Sequence, residues 1–479
     1  MIYADFLVIL PELILIIFCL LCLLVASFFD TPKTSNTILL ATIGILIIVA
    51  FLIYFSPHNG SLAFEGAFVR DSFAQYLQIT ILLSVAALLI LSKEYLLKHK
   101  LLKFEYPILV AFSALGMLVV ISSGNLLVLY LGVEIQSLSL YVIASFRRDN
   151  LKSTEAGLKY FVLGSLSSGL MLFGISLIYG STGSVYFKEI EVAIQSEEFL
   201  LGVIAGLVFI ISGLAFKASA VPFHMWTPDV YEGSPTPVTG FFATAPKVAA
   251  IGLLLRVLFD CFGSMIESWQ QVIIVLSFCS MFLGSIAAIG QKNIKRLMAY
   301  SSIGHVGFAL IGVACGTEEG VVAVLIYMVL YVIMNIGVFS FILNMERDGV
   351  AVTNIQSLSL YSEVSQGQTF FLTILLFSLA GIPPLVGFFG KFYIFSAAIN
   401  SGLIWLAVSG GIASVIAAFY YLRIVYLMYF SSTKELLSGN MPLTHRVLLI
   451  GTAILMLLGT INLFGLEDPA RVAALSLFN

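Results

Sequence analysis

Asn125-Leu-Leu-Val-Leu-Tyr-Leu-Gly-Val-Glu-Ile-Gln-Ser-Leu-Ser-Leu-Tyr141 carries a single charge, Glu134, inside a predominantly apolar run that extends over 125–146. Its length matches the ~20 residues an α-helix needs to cross the hydrocarbon core of a bilayer. The run lacks the in/out alternation that a β-barrel strand requires. It therefore reads as a membrane-spanning helix with one acid at its centre, about nine residues in.

Comparable apolar runs fall near 6–28, 36–55, 72–92, 106–123, 155–180, 199–222, 238–258, 270–290, 297–315, 320–344, 369–399, 403–430 and 446–464, making fourteen in all. Composition gives the same count: 60% of 479 residues are hydrophobic, enough for roughly fourteen spans of ~20 residues. Only 10% are charged, against ~25% in soluble domains, so a soluble globular protein is excluded. A net charge of −3 offers no basic field for nucleic acid. The longest polar connections, 181–198 and 345–368, are too short to fold into domains of their own. Cys19, Cys22, Cys261, Cys279 and Cys315 all lie within or at the ends of apolar runs, so they read as packed or lipid-facing thiols and neither a disulfide framework nor a redox centre. The first run follows acidic Asp5 and lacks a basic leader, so it is expected to be a retained span.

Assigning the connections alternately to two sides separates the basic residues. One side takes Lys33, Lys93, Lys98, Lys100, Lys103, Arg147, Arg148, Lys152, Lys292, Lys295, Arg296, Arg347, Lys434 and Arg446; the other takes Arg70, Lys188 and Arg471. By the positive-inside rule the first side is cytoplasmic, which puts both termini on the outer face. Six basic residues remain in the spans. Arg256 and Arg423 lie near helix ends and are expected to snorkel to the headgroups.

Lys217, Lys247, Lys391 and His305 are deeper, in the seventh, eighth, twelfth and tenth spans, and Lys159 lies a few residues inside the sixth. A bare charge at the bilayer centre costs ~3 kcal/mol, so these groups and Glu134 are expected to face one another along a polar interior path. A purely structural pairing is the alternative, but one acid cannot neutralise four lysines. Lysine suits a proton carrier, because burial lowers its proton affinity and a neighbouring carboxylate restores it. Ordinary cation binding would need converging oxygens instead.

Prolines accompany the lysines: Pro222 follows Lys217, Pro246 precedes Lys247, and Pro383-Pro384 precede Lys391. Each removes a helical hydrogen bond, freeing carbonyls such as those of Ala218, Phe242, Leu379 and Ala380. Freed backbone inside a membrane is tolerated only beside protein or water, so spans seven and twelve are expected to be broken helices flanking a hydrated cavity. Pro235-Thr-Pro-Val-Thr-Gly-Phe-Phe-Ala-Thr-Ala-Pro-Lys247 and Pro383-Pro-Leu-Val-Gly-Phe-Phe-Gly-Lys391 share a proline pair, a Val, a Gly-Phe-Phe and a lysine. Spans four to eight and nine to thirteen would form two five-helix units, the second inverted because five is odd. The expected fold is an all-α polytopic membrane protein of about fourteen helices with two inverted five-helix repeats. Its divisions are a three-helix segment (1–104), a first repeat (105–260), a second repeat (261–431) and a C-terminal helix (432–479).

Four stretches carry a family resemblance: Leu129-Tyr-Leu-Gly-Val-Glu-Ile-Gln-Ser-Leu-Ser-Leu-Tyr-Val142, Ala156-Gly-Leu-Lys-Tyr-Phe161, Lys217-Ala-Ser-Ala-Val-Pro-Phe-His-Met-Trp-Thr-Pro-Asp-Val-Tyr-Glu232 and Leu379-Ala-Gly-Ile-Pro-Pro-Leu-Val-Gly-Phe-Phe-Gly-Lys-Phe392. With them the chain resembles, over essentially its whole length, the proton-pumping, antiporter-like membrane subunits of respiratory complex I, the NADH-quinone oxidoreductase. The fifth span is most similar to the subunit N branch of that family. The resemblance implies roles: Glu134 as the carboxylate partner of Lys217, Lys217 as input carrier, Lys247 and His305 as central relay, Lys391 as output carrier, and Lys159 as an additional lysine near the first pair. It implies that NADH, FMN, iron–sulfur clusters and quinone bind to other subunits and that this chain holds no cofactor. It implies partners that include a second antiporter-like subunit and small membrane subunits, in a bacterial inner membrane. An Mrp-type Na⁺/H⁺ antiporter subunit and a non-pumping scaffold of a hydrogenase-type complex share the helix plan and are the alternatives.

Overall fold

The computed structural model describes residues 2–29, 31–56, 60–195, 200–432 and 437–478. Among these, twelve helices are long and apolar enough to cross a membrane by length and composition, from Leu10–Phe28 to Leu443–Ile461. The fourth and twelfth expected spans fall to shorter apolar helices: Glu105–Ile121, and Gln366–Ala380 followed by Val386–Asn400. Lys434, counted above among the cytoplasmic residues, lies outside the described residues.

Side-chain caps set the helix starts. Asn125, Asn150 and Asn293 accept hydrogen bonds from the backbone N–H groups of Leu127, Ser153 and Lys295, and Thr317 accepts from Gly320. Each satisfies a donor that the first turn leaves unpaired. The longest connections carry little structure: two short antiparallel hairpins, Ser61–Ala63 with Phe68–Arg70 and Glu346–Arg347 with Val350–Ala351, and the amphipathic helix Phe187–Ile194.

The centre of the bundle is the eighth, tenth and eleventh spans. Thr236–Cys261 is wholly buried, and Ile294–Ala314 and Glu318–Ile342 nearly so, while Leu10–Phe28 and Leu443–Ile461 leave most of their surface outside. Backbones come close where side chains are absent: a Cβ on Gly284 would lie 2.5 Å from the Gly304 nitrogen, which locks Ile266–Ile289 against Ile294–Ala314. The helix that carries His305 is thereby packed backbone to backbone against the one before it.

Two arginines depart from expectation. Arg256 does not snorkel; it is fully buried and grips Asp71 with two bonds (2.6 and 2.8 Å), Asp260 with one (2.8 Å) and the Ile121 carbonyl (3.0 Å). The cause is Asp71, which caps the Ser72–Lys98 helix and hangs over the end of the eighth span, where it can neutralise the guanidinium. Arg70, expected in a loop, is buried against Glu12 (2.6 Å) and the Val8 carbonyl (2.8 Å). Arg423 donates to the Ile289 carbonyl at 2.9 Å, a cation at the negative end of a helix.

Candidate functional site

The seventh and twelfth spans both break, and they break the same way. Leu200–Ala218 closes with the Ala220 N–H on the Ala215 carbonyl (2.8 Å), and Gln366–Ala380 closes with the Ile382 N–H on the Phe377 carbonyl (3.0 Å). Both are the six-to-one closure of a Schellman end, with the residue after the helix in the left-handed region. That residue is Ser219 (φ 66°) in one and Gly381 (φ 82°) in the other. Pro222, Pro383 and Pro384 follow at once and prevent the helix from resuming.

A lysine from a later helix meets each broken end. The Lys247 ammonium donates to the Ala218 carbonyl (3.0 Å) and to Ser219 Oγ. That of Lys391 donates to the Ala380 carbonyl (2.9 Å) and Ser414 Oγ (2.9 Å). Two of the carbonyls expected to be freed by proline are thus the acceptors. The C-terminal end of a helix carries partial negative charge, so each half-helix supplies the field that a buried ammonium otherwise lacks. Aromatic faces complete the seats: Trp226 lies 5.3 Å from Lys247 Nζ and Phe308 4.7 Å from Lys391 Nζ.

The proline-lysine match read from the sequence aligns different parts of these seats. Pro383-Pro384 occupy the break of span twelve, whereas Pro235–Lys247 covers the short helix Thr236–Phe242 and the start of Ala245–Arg256 in span eight. The geometric counterpart of the span-twelve break is the 215–222 segment, where no Gly-Phe-Phe is present to reveal it.

Lys217 is not ion-paired to Glu134. Its ammonium donates to Ser137 Oγ (2.7 Å) and lies 3.4 Å from the Tyr141 hydroxyl. Ser137 is one turn beyond Glu134 on the Leu126–Ala144 helix, so the amine is held by a hydroxyl on the same helix as the carboxylate. Glu134 itself is half-buried, with Oε1 enclosed and without a hydrogen-bond partner among the described residues, beside the exposed side chains of Leu131, Ile135 and Leu138. Lys159 is at the rim, paired with Glu155 (2.7 Å) and Asp229 (2.8 Å). From there the ion pairs continue through Arg296 (2.6 Å from Asp229) to Glu232 (3.1 Å) and Lys152 (3.1 Å). Burial works to raise the carboxyls of Asp229 and Glu232, but these cations prevail and hold both below the usual range.

His305 is buried between phenols. One ring nitrogen, Nδ1, is 2.6 Å from the Tyr327 hydroxyl, and Nε2 is 3.1 Å from that of Tyr421, which in turn is 2.5 Å from Ser301 Oγ. Tyr331 lies 5.2 Å away, ring to ring, and donates to Ser302 Oγ at 3.0 Å. Aromatic contacts link the parts. Tyr141 meets Tyr160 (4.8 Å), Tyr160 stacks on Trp226 (4.2 Å), and His305 and Lys391 share Phe308.

The structure therefore gathers Lys217, Lys247, His305 and Lys391 inside the bundle, leaves Glu134 at its lateral edge, and sets Lys159 at one end. Their hydroxyl partners Ser137, Tyr141, Ser219, Tyr327, Ser414 and Tyr421 were not singled out from sequence. Only Ser137, at helical spacing from Glu134, carried a signal that could have found it. The described residues contain no group of three or more His, Cys, Asp or Glu arranged to hold a metal ion.

Residues 123–417 match the family described as NADH:quinone oxidoreductase/Mrp antiporter, transmembrane. NADH-quinone oxidoreductase subunit N of Jannaschia sp. is 53% identical over 99% of both chains, and that of Rhodobacter capsulatus 50% identical over 99% of both. A chain of respiratory complex I from Thermus thermophilus superimposes with a TM-score of 0.82 at 29% identity, covering 97% of this chain and 99% of that one. A chain of an archaeal membrane-bound sulfane sulfur reductase shares the fold, with a TM-score of 0.86 at 23% identity. Sequence likeness of this extent, over a bundle of this architecture, makes the chain a member of the NADH-quinone oxidoreductase subunit N family.

Proposed function

We propose that the chain carries protons across the membrane as a subunit of an NADH:quinone oxidoreductase. The observation that supports this most is the pair of matched seats in which Lys247 and Lys391, both buried, are held by hydroxyls and broken-helix carbonyls with no carboxylate within ion-pair distance among the described residues. A purely structural lysine would be neutralised by an acid, as Arg256 is here. An amine held only by neutral groups can exist with or without its proton, which is what a carrier requires.

In this reading Lys217 loads, Lys247 and His305 relay, and Lys391 unloads. Glu134, at the edge beside an exposed apolar stripe, senses a neighbouring subunit, and its field reaches Lys217 through Ser137. Lys159 links the rim ion pairs to the loading end through Tyr160, its chain neighbour, which packs on Tyr141. Moving one charge against 100 mV requires ~2.3 kcal/mol. One unit of proton-affinity change is worth about 1.4 kcal/mol, so a swing of a few units suffices.

The redox groups, NADH, FMN, iron–sulfur clusters and quinone, are assigned to partner subunits, because the interior donors here are amines, an imidazole and hydroxyls. A second antiporter-like subunit and small membrane subunits are the proposed neighbours, in a bacterial inner membrane with both termini outside. The two inverted units, 105–260 and 261–431, between the 1–104 and 432–479 segments, would meet at the relay.

The test is proton pumping by the purified complex in sealed vesicles. Lys217→Ala is expected to lower pumping sharply at normal complex abundance. Undiminished pumping would overturn the reading.

A further inference from the structure

Lys295 is assigned to a loop by its sequence, one residue into the Ile294–Ala314 helix, yet it is only 5% exposed. Its ammonium donates to the Ser234 carbonyl at 2.6 Å. No carboxylate lies within ion-pair distance among the described residues. It is a third buried amine of the same kind as Lys247 and Lys391, and the relay described above makes no use of it.

A stripe leads inward from it. Lys295, Ser302 and His305 stand at i, i+7 and i+10 on one helix, which spans about 15 Å. Facing them is the short helix Trp226–Gly233 and its C-cap Ser234. The Tyr231 hydroxyl and Ser234 Oγ are fully buried, and neither makes a direct hydrogen bond among the described residues. Burial drives the Tyr231 phenol well above its usual range, and Tyr331 and Ser302, which neighbour His305, are the next groups that act on it. Ser302 accepts from Tyr331 at 3.0 Å, and the Tyr331 ring is 5.2 Å from that of His305.

Buried hydroxyls without a protein partner, in a row between satisfied polar groups, are where ordered water belongs. We propose that Lys295, with the Tyr231 and Ser234 hydroxyls and water between them, forms a proton inlet from the basic face to His305, separate from Glu134 and Lys217. At each hop the N–H or O–H bond of the donor breaks as one forms on the acceptor. Lys295 regains its proton from water at the rim, so the net change is one proton moved from that face to His305. This inlet rests on the relay reading above.

The test compares protons moved per electron, and the coupled electron-transfer rate, in the assembled complex in sealed vesicles. Tyr231→Phe removes the hydroxyl and keeps the ring, so the packing of a merely structural residue would be preserved. Lys295→Arg keeps the charge and the bond to Ser234 but does not release its proton. Both variants, at normal complex abundance, are expected to slow proton transfer on the order of 10²-fold, the loss that follows removal of a positioned proton donor. Lys391→Ala is the reference. If it is impaired while Tyr231→Phe and Lys295→Arg pump like the parent, the inlet is wrong and the relay stands. If Lys391→Ala also pumps normally, the relay fails and takes the inlet with it. Should Lys295→Arg not assemble, Tyr231→Phe decides alone.

Discussion

Gly381 meets two requirements that no other residue satisfies together. Its φ of 82° ends the first half of the broken twelfth span, and a Cβ there would lie 3.0 Å from Cδ and 3.2 Å from Nζ of Lys391. Gly381→Ala therefore incurs the left-handed penalty, about 1–2 kcal/mol, and pushes the amine off the Ala380 carbonyl. Purified complex carrying it should melt earlier and pump less, both readable on one sample. Arg256 gives a larger effect of a different kind. Arg256→Leu would leave Asp71 buried without its cation and Asp260 short of its partner, a loss of about 3–5 kcal/mol. It is expected to show as reduced complex abundance in membranes, and accumulation at parental levels would count against the pairing.

The short helix Trp226–Gly233 follows the seventh-span break and carries Trp226 over Lys247, so its placement matters to the seat. Its outer side is tied by Asp229 and Glu232 to Lys152, Lys159 and Arg296. Both carboxyls are held below their ordinary values, so the stability they add is present above the unfolded-state values near 4 and is lost as pH falls through the lower folded ones. These pairs are partly exposed and screened, so the gain is modest. Hydrogen exchange of this helix in detergent should quicken below about pH 4, and Asp229→Asn should erase most of that pH dependence. These ties show the limit of reading a sequence. Proline near lysine exposed both broken helices, because proline acts on its own chain neighbours. The rim pairs, the Ser414 contact and the Asp71 grip on Arg256 join residues 23 to 185 positions apart, and helical period contains nothing about them. Arg256 was misread for that reason: nearness to a helix end is a sequence property, and a partner across the bundle is not. Tyr327 and Tyr421 went unnoticed because phenols are common in apolar helices and gain meaning only when they bracket an imidazole.

Across the whole bundle, the proposed relay places the amines in series, and aromatic contacts join its members in two sets. Lys217 reaches Tyr141, Tyr141 and Trp226 both pack on Tyr160, and Trp226 covers Lys247, while His305 and Lys391 share Phe308. In the proposed relay every proton, whether it enters at Lys217 or at Lys295, leaves through Lys391, so no route avoids that amine. Steps in series that act as a unit are non-additive when removed. The double variant Lys217→Ala/Lys391→Ala should therefore pump no worse than the poorer single variant. If the two amines instead served independent routes, their losses would add in free energy and the double variant would fall to the product of the single fractions. Pumping per electron in sealed vesicles, measured for the parent, both singles and the double, separates these outcomes. A multiplicative loss at equal complex abundance would break the series into two channels and leave the matched lysine seats as duplicates with no shared path.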